Sequence, residues 1–358
     1  MKVKLMTPGP VEVPRRVLEA SARPVISHRC GEFRGLLRRV VEGLEEVFGV
    51  ADGFVAVMAG SGTTAVDAML WSFVGPGDRV LLVSHGLFGE RIRLSLEARG
   101  AVVDVVGPEV PGGVVDPDDV AARLEGGGFS AVVLVHNETS MGVRYPWISR
   151  VAEKAHEEGC LVLVDVVSSL AGDWFSLEGM GVDAAAGCSH KAIAAPPGAG
   201  FVAVSGDAVR RLRDDAPLSI SLKRYVEKYV AAGETPFTPP VTILYAVEAA
   251  LERILGEYTL EGYIDLHRRR AERLYARMPP GFQKVALTGE TASRTVPAFW
   301  TPVKASRVVE KALERGIRIA TGVGRYREAM VRIGVMGDIG FDDIDAVAEA
   351  AREAVEPG

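Results

Sequence analysis

The chain has little amide and little lysine: of 358 residues, one is asparagine (Asn137), one is glutamine (Gln283), and nine are lysine against 32 arginine. So few deamidation-prone amides, with arginine in such excess, predict a protein made for high temperature, with GC-rich coding as the competing account of the arginine. Its three cysteines, Cys30, Cys160 and Cys188, are odd in number and far apart, with no C-x-x-C pair. That excludes a disulfide framework and a zinc knuckle. The six histidines include no pair at the spacing of H-E-x-x-H, so no metal site is expected. No run of about 18 uncharged apolar residues occurs, and the start Met1-Lys2-Val3-Lys4-Leu5 lacks the apolar centre of a secretory signal. The expectation is a cytosolic protein with no membrane partner. Lys and Arg number 41 against 47 Asp and Glu, a net charge of −6 with no basic stripe. Nucleic acid therefore has no electrostatic footing here, and a small anionic ligand must be gripped locally.

What is present is a globular composition, 48% hydrophobic and 25% charged, which rules out a disordered or fibrous chain. At this length one core stops growing, so a large domain with a smaller one is expected. Residues 32–48 carry apolar side chains at amphipathic-helix spacing. Short Val-rich runs follow at 54–58, 80–83, 102–106, 131–135, 161–166 and 201–204, with a small-residue run at 184–189. Such runs read as strands buried on both faces. Helical patterns at 64–73, 87–99, 117–125 and 147–158 alternate with them, which makes a repeated βαβ unit and a mainly parallel sheet. Helices are expected over 218–230 and 241–255, parted by the proline-rich 233–240, and a long charged helix over about 258–278. Isolated strands at 296–300, 317–320 and 330–333 then alternate with helices at 304–315 and 341–355. The expected division is a large domain over 15–255 and a small α+β domain made of 1–14 and 256–358.

In open parallel sheets ligands bind beyond the carboxyl ends of the strands, so those residues carry the chemistry. Gly60-Ser61-Gly62-Thr63 stands where a strand gives way to a helix, a place for a phosphate on free amides and the helix dipole. It is not a P-loop, since no Gly-Lys-Ser/Thr follows, and Ala65 breaks the dinucleotide fingerprint; a plain capped turn is the competing account. Asp165 ends the most apolar strand, and a buried, ionised Asp needs a cationic partner. A cap or a structural salt bridge would also explain it. Between Lys4 and Lys223 the only lysines are Lys154, set among Glu153, Glu157 and Glu158, and Lys191, set among small residues. Small neighbours admit a planar group, and a desolvated lysine has the lowered pKa that suits a Schiff base. Phe88 sits between glycines after a strand and either stacks on a ring or fills the core. His190, beside Lys191, is in reach of an anion. Arg332 is a lone charge inside a strand, an ordinary edge residue or a planar fork for a carboxylate. Phosphate-binding turn, deep acid, buried lysine and carboxylate-binding arginine together point to pyridoxal 5′-phosphate chemistry.

At these residues the chain resembles the class V aminotransferases of fold type I, in the alanine–glyoxylate/serine–pyruvate group. The segments that carry the likeness are Thr7-Pro8-Gly9-Pro10, Ser27-His28-Arg29, Gly60 to Thr63, His136 to Gly142, Val164 to Leu170, Ser189 to Ala192 with Ala195 to Gly198, Thr238-Pro239-Pro240 and Arg332-Ile333-Gly334. The resemblance implies an α/β fold with a seven-stranded, mainly parallel sheet and a smaller C-terminal α+β domain. It implies that Lys191 holds the cofactor and Asp165 partners its ring nitrogen. Ser61, Gly62, Thr63 and His190 match the phosphate site, Phe88 the stacking aromatic, and Thr139 a hydroxyl near the phenolic oxygen. Gly9 and Arg332 match the receivers of the substrate carboxylate. Thr238 matches a residue that reaches the neighbouring subunit's phosphate, which implies a homodimer with shared sites. His190 stands where many relatives carry Gln, Phe88 where Trp or Tyr is frequent, and Thr235 where some place a Tyr. The implied reaction moves an amino group from alanine or serine to glyoxylate or pyruvate. Relatives acting on aspartate or 2-aminoethylphosphonate have similar motifs, but one visible carboxylate-binding Arg favours a monocarboxylic substrate. A desulfurase would need a cysteine well after the lysine, and none follows Cys188.

Overall fold

The computed structural model describes residues 3–356, so Met1, Lys2, Pro357 and Gly358, which fall at the edges of the expected small domain, lie outside it. Seven strands form one mixed sheet, in the order Gly53–Gly60, Gly198–Ser205, Ala184–Cys188, Leu161–Asp165, Ala131–Val135, Arg79–Val83 and Val102–Val106. Gly198–Ser205 runs antiparallel to both neighbours, and the other pairings are parallel. The period-2 alternation of a strand divides each apolar run between two cores. Val132, Leu134, Val162 and Val164 face the helices Gly31–Phe48, Ile148–Glu157 and Val241–Leu251. Val133, Val135, Leu161 and Leu163 face the helices Gly62–Phe73, Leu87–Arg99 and Leu222–Ala232. Covered on both sides, these strands need no polar face, which is why they read as unbroken apolar runs.

Beyond the helix Leu260–Arg277 the expected isolated strands pair with one another. Gln283–Lys284, Ala298–Trp300, Met330–Arg332 and Ala320–Thr321 form a four-stranded antiparallel sheet in that order. The run expected over 317–320 is divided, because Ile317–Arg318 instead pairs in parallel with Lys4–Leu5 near the start of the chain. Met6, Leu274, Phe299, Val308, Ile319, Val331 and Ile344 make the core beneath these strands. Two expected helices also change character: 218–230 becomes the 3-10 turn Leu218–Ile220 followed by Leu222–Ala232, and the stretch after Leu251 continues as a π-helix over Glu252–Tyr258. Arg15–Ser21, an unforeseen helix, buries only Val17 and is too short to show a period. Among the described residues no helix is long and apolar enough to cross a membrane, and no group of three or more His, Cys, Asp or Glu is placed to hold a metal.

Candidate active site

The turn after Gly53–Gly60 is built as a capping box. Ser61 Oγ accepts from Thr64 N at 3.3 Å, and Ser61 N donates back to Thr64 Oγ1 at 3.1 Å, which starts the helix Gly62–Phe73. Gly62 is required where it stands, since a Cβ there would lie 2.7 Å from Val167 Cγ1. This helix start opens on a cavity lined by Gly62, Thr63, Phe88, Arg91, Asp165 and Val167, among others. Asp165 is the last residue of its strand, 7% exposed, and accepts from Val167 N at 2.8 Å. No Lys, Arg or His side chain among the described residues hydrogen-bonds to it. Burial pushes the Asp165 carboxyl up to about 6, and the Lys191 charge, which makes no hydrogen bond to it, opposes this only in part.

Lys191 is 8% exposed and donates from Nζ to the Pro8 carbonyl at 2.6 Å. Gly9 has φ +142°, and a Cβ on it would lie 2.7 Å from Lys191 Nζ, so glycine is what lets the chain cross the amine. Burial holds Lys191 below the usual lysine range; Cys188 and Asp165 oppose this, and the Arg332 and Arg91 charges add to it. Thr7, Gly9, Phe88, Thr139, Lys191 and Arg332 share a second cavity of about 410 Å³, together with Arg318 and Ala320. Arg332 is not an edge residue, because Met330–Arg332 lies between Ala298–Trp300 and Ala320–Thr321. Its Nε donates to Thr321 O at 2.9 Å and its Nη1 to Thr139 O at 3.3 Å. Those carbonyls aim the fork and leave it without a carboxylate.

Phe88 lines both cavities. It is the second residue of the helix Leu87–Arg99, whose first turn is capped from another segment. The Glu138 carboxylate, 1% exposed, accepts from Phe88 N at 3.1 Å, Gly89 N at 3.2 Å, Ser140 N at 3.0 Å and Ser140 Oγ at 2.5 Å. Those four donors set where the ring stands. Arg91, one helical turn on, lies with its guanidinium 4.9 Å from the Phe88 centroid.

Gly62, Thr63, Phe88 and Asp165 thus gather at one cavity, and Gly9, Phe88, Thr139, Lys191 and Arg332 at the other. Ser61, His190 and Thr238 line neither. Ser61 is the helix cap. His190 lies with Nε2 3.7 Å from Cys188 Sγ and is pushed down to about 4 by burial and the Lys191 charge, so at neutral pH it is an uncharged imidazole. Thr238 is exposed, in a segment tied down by Arg29 Nη1 on Thr235 O at 2.8 Å. Sequence reasoning missed Arg91, Val167, Glu138 and Arg318. Helical spacing from Phe88 would have pointed to Arg91. Glu138 lay inside a motif already noted, but the amides of Phe88 and Gly89 that it accepts from belong to a helix some 50 positions earlier, and no local pattern singled out Arg318.

The family Aminotransferase class-V matches residues 18–347. An uncharacterized aminotransferase of Methanocaldococcus jannaschii is 32% identical over 99% of this chain and 93% of its own length. The alanine–glyoxylate aminotransferase of Callithrix jacchus is 30% identical over 98% of this chain and 87% of its own. Among solved structures, the subgroup IV aspartate aminotransferase of Thermus thermophilus superposes with a TM-score of 0.91 at 33% identity, over 98% of this chain and 100% of that one.

Proposed function

For a chain that belongs to the class-V aminotransferase family, and is thus a pyridoxal-phosphate-dependent transaminase, we propose that it moves an amino group from a small amino acid, alanine or serine, to glyoxylate or pyruvate. The two substrates take turns in one site, each product leaving before the next substrate enters. The observation that carries this reading is that Lys191 and Arg332 line one cavity of about 410 Å³, while Asp165 faces the adjoining cavity across Phe88. The alanine–glyoxylate relative supports the choice of substrates.

The residues fit the cofactor. The helix start at Gly62 and Thr63 would hold its phosphate, with Ser61 and His190 beside it. Phe88 and Val167 would take the ring faces, Asp165 the ring nitrogen and Thr139 the phenolic oxygen. When bound, pyridoxal phosphate supplies the carbonyl that carries the amino group and a ring that accepts electrons. Asp165, whose carboxyl burial raises to about 6, would share a proton with the ring nitrogen it faces. Lys191 Nζ, whose proton affinity burial lowers, would take a proton from the substrate carbon and return it. Arg332 and the backbone at Gly9 would orient the substrate carboxylate.

Thr238, exposed and outside both cavities, supports a homodimer in which it reaches the partner's phosphate. A large domain over 15–255, a small one from 1–14 and 256–358, a cytosolic setting and a hot habitat complete the reading. The test is to load the protein with pyridoxal phosphate, add single amino acids, and follow its visible absorbance. Alanine or serine is expected to bleach it fastest and glyoxylate to restore it, with parallel double-reciprocal plots. Absorbance that survives every donor, or a lyase product in place of an oxo acid, refutes transamination.

A further inference from the structure

The lining of the Lys191–Arg332 cavity holds three cations, Lys191, Arg318 and Arg332, and no carboxylate, in a chain whose net charge is −6. Lys191 is satisfied by Pro8 O, and Arg332 is aimed by two carbonyls. The Glu138 charge, which acts on Arg332 from outside the lining, is already taken up by backbone amides and Ser140. The Arg318 side chain has no hydrogen-bond or ion-pair partner among the described residues. That is unusual here, since most surface arginines of this protein are tied to an Asp or Glu; Arg315, three residues earlier, pairs with Glu353 at 2.7 Å.

The position of Arg318 follows from strand geometry. Ile317 and Ile319 are buried, 4% and 3% exposed, so alternation turns Arg318 to the opposite side. Ala320 stands directly across from Arg332 in the sheet, and Arg318 is two residues before it, on the same side of the extended chain. The roots of the two arginines are then about 7–8 Å apart, the diagonal spacing of neighbouring strands. The residue between them, Ala320, is too small to part them, and Leu5, paired with Arg318, closes the wall. Two planar forks over one cavity, with no acid to answer the second, describe a receiver for a ligand with two carboxylates.

We infer that Arg318 is a specificity-determining residue forming a second anion subsite, so that the cleft also accepts four-carbon dicarboxylic amino and oxo acids, with the α-carboxylate on Arg332 and the distal one on Arg318. A single fork suits a carboxylate; a phosphonate dianion would call for more donors than this wall offers. This rests on the transaminase reading above, in which Arg332 takes the α-carboxylate.

The test uses the pyridoxal-phosphate-loaded protein and its Arg318→Gln and Arg318→Lys variants, with aspartate and alanine as donors, and with succinate binding measured separately by calorimetry. The ratio of kcat/KM for aspartate to that for alanine is expected to fall at least tenfold in Arg318→Gln, mainly through KM, with Arg318→Lys in between. Succinate is expected to bind the natural protein and to weaken by a similar factor in Arg318→Gln. The subsite is overturned if alanine reacts while aspartate does not, or if the ratio and succinate affinity both stay within twofold. If neither donor reacts, the transaminase reading itself falls, and the subsite with it.

Discussion

The two walls of the cleft are made differently. One wall consists of the ends of five-residue strands buried on both faces, which carry Asp165 and lead into Lys191. The other consists of strands only two or three residues long, Ile317–Arg318, Ala320–Thr321 and Met330–Arg332, which carry the arginines. The first wall is clamped by two cores and isolates its ionisable groups, moving the pKa of Asp165 up and of Lys191 down. The second leaves Arg318 exposed to solvent. A group whose proton affinity must be tuned needs a dry, rigid setting. A group that only recognises charge works at the mouth, where loss or replacement costs the fold little.

The sharpest way to break this contrast is at Lys191. In Lys191→Ala, kcat is expected to fall at least ~1000-fold, and the visible absorbance of protein-bound pyridoxal phosphate is expected to vanish; a retained band would place the cofactor's attachment elsewhere. Asp165 comes next. In cofactor-free protein its folded pKa, about 6, lies above the unfolded value of 3.8. The folded state therefore holds this proton more tightly than the unfolded chain. Stability from this group is full below pH 3.8 and lost as pH rises through 6, a change of about 3 kcal/mol. Urea unfolding from pH 4 to 8 should show that decline in the natural protein and a flatter profile in Asp165→Asn; equal slopes would mean that the acid is not isolated.

At the other wall, Arg332→Gln removes a charge-assisted contact of ~2 kcal/mol, which should raise KM for the amino acid by about 30-fold and leave the melting temperature nearly unchanged. A kcat loss with KM unmoved would assign Arg332 to the chemical step. The smallest effect is expected at the turn. Ser61→Ala breaks the capping box and should cost ~1 kcal/mol of stability, with faster loss of pyridoxal phosphate on dialysis. Unchanged retention would make Ser61 a helix cap alone.

Much of the first wall was legible because its residues stand next to strong local signals. Asp165 follows four buried aliphatics, Lys191 follows a small-residue strand, and Gly62 opens a capped helix. Periodicity and capping are properties of adjacent residues, so a reader of the chain meets them in order. The second wall was legible only at Arg332. Strands of two or three residues hold too few positions to show a period, and the run 317–320 was read as one strand where the structure divides it between two partners. Glu138 shows the same limit inside the first wall, since the amides it caps lie 49 and 50 residues away along the chain.

The sequence alone determined the alternation of elements, the doubly covered sheet and the burial of Asp165 and Lys191 at its strand ends, because burial of apolar runs is written in composition and spacing. Only the tertiary structure decided that no Lys, Arg or His side chain among the described residues hydrogen-bonds to Asp165, that Glu138 sets the helix bearing Phe88, and that Arg318 joins Arg332 at one cavity. Each of these depends on which distant segments pair, and a side chain's charge has no address until that pairing places it.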